Sequence, residues 1–193
     1  MPDINTLIER WRAEDARAAE AIYDQYRDSI YRLAYGLLGE PADAEEVTQD
    51  ALAYALINIK RYNPERASFV TWLHTITISR CRDKRRRRRL SSVPLFTWLE
   101  SGEDRVDPSL APEDHANRAE VRSDVWRAVQ LLSPPLREAI LLRYWAGHTY
   151  REMADILGCP VPTVQSRVRL AYERLRTQLT RDDLAALEEE QAS

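Results

Sequence analysis

Glycine is scarce: five residues in a chain of 193 leave little for the tight turns of an extensive β architecture. Cysteine is scarcer still. Cys81 and Cys159 stand far apart, make neither a disulfide framework nor a metal-ligand set, and are expected to pack as small apolar side chains. His74, His115 and His148 are scattered without ligand spacing. With no nucleophile or metal constellation in view, no catalytic residue, metal or cofactor is expected, and the chain does not read as an enzyme. The opening stretch MPDINTLIERW lacks the apolar core of a signal peptide, and no apolar run is long enough to span a membrane. The expected setting is therefore a reducing cytoplasm, with no membrane insertion.

What the chain has in quantity is Ala, Leu, Arg and Glu, with few β-branched runs, which favours an all-α fold. Its length suits one domain or two small ones. The net charge of −3 conceals segregation, with acid near both ends and base in the middle, so nucleic acid is not excluded as a partner.

Apolar spacing predicts a short leading helix over Ile4–Trp11 and a long one over Ala16–Leu38. In the second, Ala19, Ile22, Tyr23, Tyr26, Ile30, Leu33, Ala34 and Leu37 return to one side, and Gly39-Glu40-Pro41 ends it. Tyr23, Tyr26, Tyr31 and Tyr35 suit core packing with hydroxyls at the rim better than a base-stacking platform. A helix over Asp43–Leu56 turns Val47, Ala51, Leu52, Ala55 and Leu56 inward. Asp43, Glu46, Gln49 and Asp50 then fall outward beside Glu45 as an acidic ridge, either a solvated face or a docking surface for a basic partner.

Asn63-Pro64 breaks the chain, and a helix starting at Ala67 or Ser68 carries the core positions Phe69, Trp72, Leu73 and Ile76. Its far end holds Arg80, Arg82, Lys84 and the run Arg85 to Arg89, a surface that can neutralise phosphates. The loop Tyr62 to Ser68 is suited to an unstacked base. Ser91 to Asn117, with Pro94, Pro108 and Pro112, reads as a linker. Its Val93, Leu95, Phe96, Trp98 and Leu99 are too apolar for a purely solvated tether, so part of it is expected to dock. Helices over Ala119–Leu132 and Pro134–Trp145 follow, and the tail Thr180 to Ser193 begins helical and ends acidic.

Thr149 to Leu175 reads as two helices broken by a tight turn. Tyr150, Met153, Ala154 and Leu157 give the first an apolar face, and Gly158 ends it. Pro162 fits the first turn of the second helix, whose buried stripe is Val161, Val164, Val168, Ala171 and Leu175. Thr163, Gln165, Ser166, Arg169 and Glu173 are left outside, either the solvated face of an ordinary helical hairpin or a face that enters a DNA major groove.

Taken in order, AIYDQYRDSIYRLAYGLLG, DAEEVTQDAL, RYNPERASFVTWLHTITISRCRDKRRRR and LLSPPLREAILLRYWAGHTYREMADILGCPVPTVQSRV, with the linker between them, resemble the extracytoplasmic-function (ECF) group of bacterial sigma factors, from about Leu7 to Leu179. The resemblance implies two small helical domains. Residues 1–90 would be sigma region 2, 91–117 a linker threading towards the RNA path, 118–180 the helix-turn-helix of region 4, and 181–193 an acidic tail. It implies that Asp43, Glu45, Glu46, Gln49 and Asp50 dock onto core RNA polymerase. Tyr62, Asn63, Arg66 and Ser68, with Ser79, Arg80 and Lys84 on the next helix, would bind the minus-ten element, including its melted non-template strand. Thr163, Gln165, Ser166, Arg167 and Arg169 would bind the minus-thirty-five duplex, Arg167 through phosphate or intramolecular contacts. An anti-sigma factor is implied as a controlling partner.

The chain departs from the family pattern at Ser79, where Asn is frequent, at Gln165 and Leu170, where basic residues are frequent, and at Pro162, which replaces a common Gly. The alternative function is a free-standing helix-turn-helix regulator binding duplex DNA alone, which needs neither the acidic ridge nor the loop.

Overall fold

The computed structural model describes residues 3–91 and 124–179, and among them every regular element is helical. The chain divides into two compact units, one built chiefly on the helices before residue 92 and one chiefly on those after residue 123. Ser91, expected to open the linker, is the last residue of a helix; the rest of the linker and the acidic tail lie outside the described residues, as does the start of the helix expected from Ala119.

The first unit holds α1 (Ile4–Arg12), α2 (Ala16–Leu38), α3 (Pro41–Ile57), a short 3-10 turn (Ile59–Arg61) and α4 (Phe69–Ser91). Helix α2 is central and packs against α1, α3 and α4. Its bounds coincide with those read from the sequence, and the chemistry at both ends explains why. Asp15 caps the first turn by accepting from the Arg17 N–H at 3.0 Å. At the other end Gly39 takes the left-handed conformation, φ 72°, and its N–H donates to the Tyr35 carbonyl at 2.8 Å. The core combines Leu7 and Ile8 of α1 with Ile22 and Ile30 of α2, Leu52 of α3 and Leu73 of α4. At the start of α2 it is Ala18 that is fully buried, while Ala19 is only half-buried.

Helix α3 begins two residues before the expected Asp43, because Pro41 fits the first helical turn, where a missing N–H costs no hydrogen bond. Helix α4 begins where the Ser68 hydroxyl accepts from the Thr71 N–H at 3.1 Å. Phe69 and Leu73 are then buried, with Trp72 half-buried beside them.

After residue 123 come α5 (124–130), α6 (Pro134–Ile140), α7 (Tyr150–Leu157) and α8 (Val161–Gln178), of which Ala154–Gly158 group with the first unit and the rest with the second. The guanidinium of Arg137 donates to the Gln130 carbonyl and, at 3.2 Å, to that of Leu132, satisfying acceptors at the end of α5. The single helix expected over Pro134–Trp145 changes character halfway, running on from α6 as a π turn over Leu141–Trp145. There the Ala146 N–H donates to the Leu141 carbonyl, five residues back, at 2.9 Å.

Helix α8 packs on α6 and buries Val164, Val168, Ala171 and Leu175, of which Val164, Val168 and Leu175 each contribute on the order of 1.5–3 kcal/mol. Val161, expected in the same stripe, is half-buried. So is Cys159, which sits in the turn between α7 and α8, whereas Cys81 is buried as expected.

Candidate nucleic-acid and partner interfaces

The turn between α7 and α8 is tightly specified. Gly158 has φ 66°, and the Val164 N–H donates to the Pro160 carbonyl at 3.2 Å as α8 begins. Helix α7 starts on a reciprocal cap: Glu152 Oε2 accepts from the Thr149 N–H at 2.8 Å, and Thr149 Oγ1 accepts from the Glu152 N–H at 3.3 Å. The spacing Thr-x-x-Glu was a readable signal for this start. On α8, Gln165, Ser166 and Arg169 are exposed, and Thr163 is half-buried. Arg169 Nε lies 3.8 Å from Glu173 Oε1 with both side chains mostly in solvent, a weak pair that ordering on DNA can replace. Arg167 is instead half-buried, its Nη1 3.6 Å from the Cys159 sulfur. Leu170 is 40% exposed, an apolar side chain on an otherwise polar face.

In the first unit the loop between the 3-10 turn and α4 exposes Asn63, Pro64, Glu65, Arg66 and Ser68. Asn63 Oδ1 accepts from the Glu65 N–H at 2.9 Å, an Asx turn that shapes the tip. Tyr62 differs from its expected place beside a base. Its ring is 6% exposed and packs edge-on to Phe69 at 5.4 Å and against Trp72 at 5.4 Å. The aromatic side chain is drawn into the core, so Tyr62 forms the floor of the loop, and burial raises its phenol pKa above the usual value.

Along α4, Ser79 is exposed, and the Arg80 guanidinium lies over the Tyr54 ring at 4.8 Å. Arg86 to Arg89 are exposed. Lys84 does not stand with them. Its Nζ lies 2.5 Å from Glu46 Oε2 and 3.1 Å from Asp43 Oδ1, and the Glu46 hydrogen bond above all holds its pKa higher than an ordinary lysine's. Asp43 also meets Arg88 at 2.9 Å, and its side chain is only 15% exposed. The ridge on α3 is therefore two-sided. Asp43 turns towards α4, while Gln49 and Asp50 remain exposed; Glu45 pairs with Arg27 at 3.4 Å and accepts from Gln49 at 3.2 Å. Among the described residues no group of His, Cys, Asp and Glu is placed to hold a metal ion, and no helix is long and apolar enough to cross a membrane.

A helix-turn-helix with a polar outer face, in a chain that also carries an arginine-ended helix behind an exposed loop, fits the class of DNA-binding transcription proteins. Comparison with known proteins narrows this class. The family model for sigma-70 region 2 matches residues 22–90, and that for sigma-70 region 4 matches residues 122–175. The ECF RNA polymerase sigma factor SigW of Bacillus subtilis is 32% identical over 181 residues, covering 91% of this chain and 96% of the relative. The ECF sigma factor SigK of Mycolicibacterium vanbaalenii is 32% identical over 178 residues, 90% of this chain and 88% of the relative. Among solved structures, the sigma factor RpoE in complex with the anti-sigma factor NepR from Bartonella quintana matches with a TM-score of 0.66 and 26% identity, over 84% of this chain and 97% of that one. CnrH, in complex with the cytosolic domain of CnrY, shares the fold with a TM-score of 0.64 at 21% identity, over 91% of this chain and 96% of that one. The chain belongs to the ECF group of sigma-70 RNA polymerase sigma factors.

Proposed function

We propose that this sigma factor acts in the cytoplasm as a promoter-specificity subunit with no bond-making chemistry of its own, residues 1–90 and 118–180 being its two promoter-binding domains, 91–117 the linker and 181–193 a tail. Asp50, Gln49, Glu46 and Glu45 on the outer side of α3 dock onto core RNA polymerase, and Asp43 orients the ridge from behind. The loop Asn63 to Ser68 takes an unstacked base of the minus-ten element above the Tyr62 floor, while Ser79 and the exposed arginines of α4 follow its backbone. Gln165, Ser166 and Arg169 read the minus-thirty-five duplex, with Thr163 beside the backbone and Arg167 bracing the turn.

The observation that carries this reading is the coexistence, in one chain, of exposed Gln165, Ser166 and Arg169 on a recognition helix with the exposed loop and acidic ridge of the first unit. A duplex-binding regulator needs only the first of these. Flipping a base costs a few kcal/mol, offset by pocket contacts and by phosphate neutralisation from the arginine run. Control by an anti-sigma factor is part of the proposal, supported by the solved RpoE–NepR complex at 26% identity.

The test is transcription in vitro with bacterial core polymerase on a pool of random promoters, with and without the chain. New start sites at a shared pair of promoter elements, lost on Asp50→Lys and Glu46→Lys, are the expected outcome. No stimulation, with tight binding of one duplex by the chain alone, would assign it to the free-standing regulators.

A further inference from the structure

We propose that Arg12, on the leading helix α1, is a positioning residue for the loop that reads the melted minus-ten strand. Helix α1 precedes the segment matched by the region 2 family model, which begins at residue 22. Its last turn nevertheless reaches the base of the loop. Arg12 Nη2 donates to the Tyr62 carbonyl at 2.8 Å and reaches the Ile59 carbonyl at 3.5 Å. Its Nη1 is held by Glu9 Oε1 at 2.7 Å, which fixes the guanidinium plane from the other side. One residue earlier, the Trp11 indole N–H donates to the Leu56 carbonyl at 2.8 Å, near the end of α3.

The Arg12 bonds hold the segment that leads into the loop, whereas the Trp11 bond ends on α3. Tyr62 is thereby fixed twice, by Arg12 at its carbonyl and by Phe69 and Trp72 at its ring. Ser68 fixes the far end through its cap on α4. Between these anchors the loop is shaped by local bonds, the Asx turn at Asn63 and the Arg66 N–H donating to the Asn63 carbonyl at 3.2 Å. Five or six residues held mainly at their ends take their geometry from those ends. A charge-assisted bond to a carbonyl is stronger than a neutral one, and a displaced anchor of an ångström is enough to spoil recognition. Arg12 thus acts through Tyr62, without touching DNA.

The inference rests on the assignment of the loop to the minus-ten strand, so the experiment separates the two. Holoenzyme is assembled from core polymerase and the full chain, and transcription is compared on templates already open across the minus-ten element that differ at one base. The selectivity ratio is read alongside core affinity and the unfolding midpoint. Arg12→Ala is expected to lower the ratio about tenfold, the loss of one charged hydrogen bond, with core affinity unchanged. Arg12→Lys, which keeps the charge and a donor, recovers part of the ratio. Trp11→Phe removes a neutral hydrogen bond that ends on α3 and not on the loop, so it lowers the midpoint and leaves the ratio intact. If Asn63→Ala changes the ratio while Arg12→Ala does not, or if Trp11→Phe changes it as much as Arg12→Ala, the positioning role is overturned and the loop assignment stands. If Asn63→Ala leaves the ratio unchanged, the loop assignment itself fails, and the inference with it.

Discussion

His148 is a buried imidazole beside a carboxylate, with Glu152 Oε2 3.8 Å from its Nδ1 and its own carbonyl accepting from Arg143 at 3.1 Å. Burial lowers its pKa below the usual 6.5, and Glu152 only partly opposes the shift. The unfolded chain therefore takes up a proton near pH 6.5 that the folded chain resists, and stability falls as pH drops below that value. Thermal melts from about pH 7.5 to 5 are expected to show this loss in the second unit, and His148→Gln to flatten it. Gly158 is a second residue whose effect is local. No atom lies within 4 Å of a Cβ added there, so the obstacle to alanine is the left-handed backbone alone. Gly158→Ala is expected to cost about 1–2 kcal/mol in urea unfolding. The glycine was legible in the sequence because its conformation is a property of one residue. The environment of His148 was not, because burial is set by residues that a local reading does not join.

Single helices were legible where their ends carry their own chemistry. Gly39 stops α2 and Ser68 starts α4, and both signals are written within a few residues of where they act. Ser68→Ala is accordingly expected to lower the stability of the first unit by about 1 kcal/mol, read from its chemical unfolding midpoint. Relations between helices were less legible. Helical period places Asp43 with the outward carboxylates, yet nothing in α3 says that the basic end of α4 passes beside it. Lys84 joins Asp43 and Glu46 across that gap, and its side chain is only 18% exposed. Lys84→Met is expected to destabilise the first unit, because it leaves a largely covered Asp43 carboxylate with less compensation. Pairing it with Asp43→Asn should recover part of that loss, as a double-mutant cycle in salt of fixed concentration would measure. The π turn escaped for a similar reason, since Leu141 to Trp145 have the composition of an ordinary helix.

Among the described residues positive charge is densest on α4, while the face of α8 proposed to read DNA sets Arg169 beside the uncharged Gln165 and Ser166. Arg169→Ala is expected to cost about 1–3 kcal/mol in promoter binding and to relax preference at one position of the minus-thirty-five element if it meets a base edge. A uniform loss over all sequences, with a shallower salt dependence, would instead mark a phosphate contact. The family was readable because its features follow one another in a fixed order along the chain. The contribution of α1 was not, because a side chain that holds a carbonyl fifty positions away has no sequence signature. The π turn at the end of α6 spends about one residue more than an α turn would, before the chain bends at Ala146. Loss of a single codon between Leu141 and Trp145 would be absorbed where it falls, by closing the wide turn to α geometry. The segment before the helix-turn-helix thus holds a residue to spare, a place where length can change while the helices on either side keep their sequence.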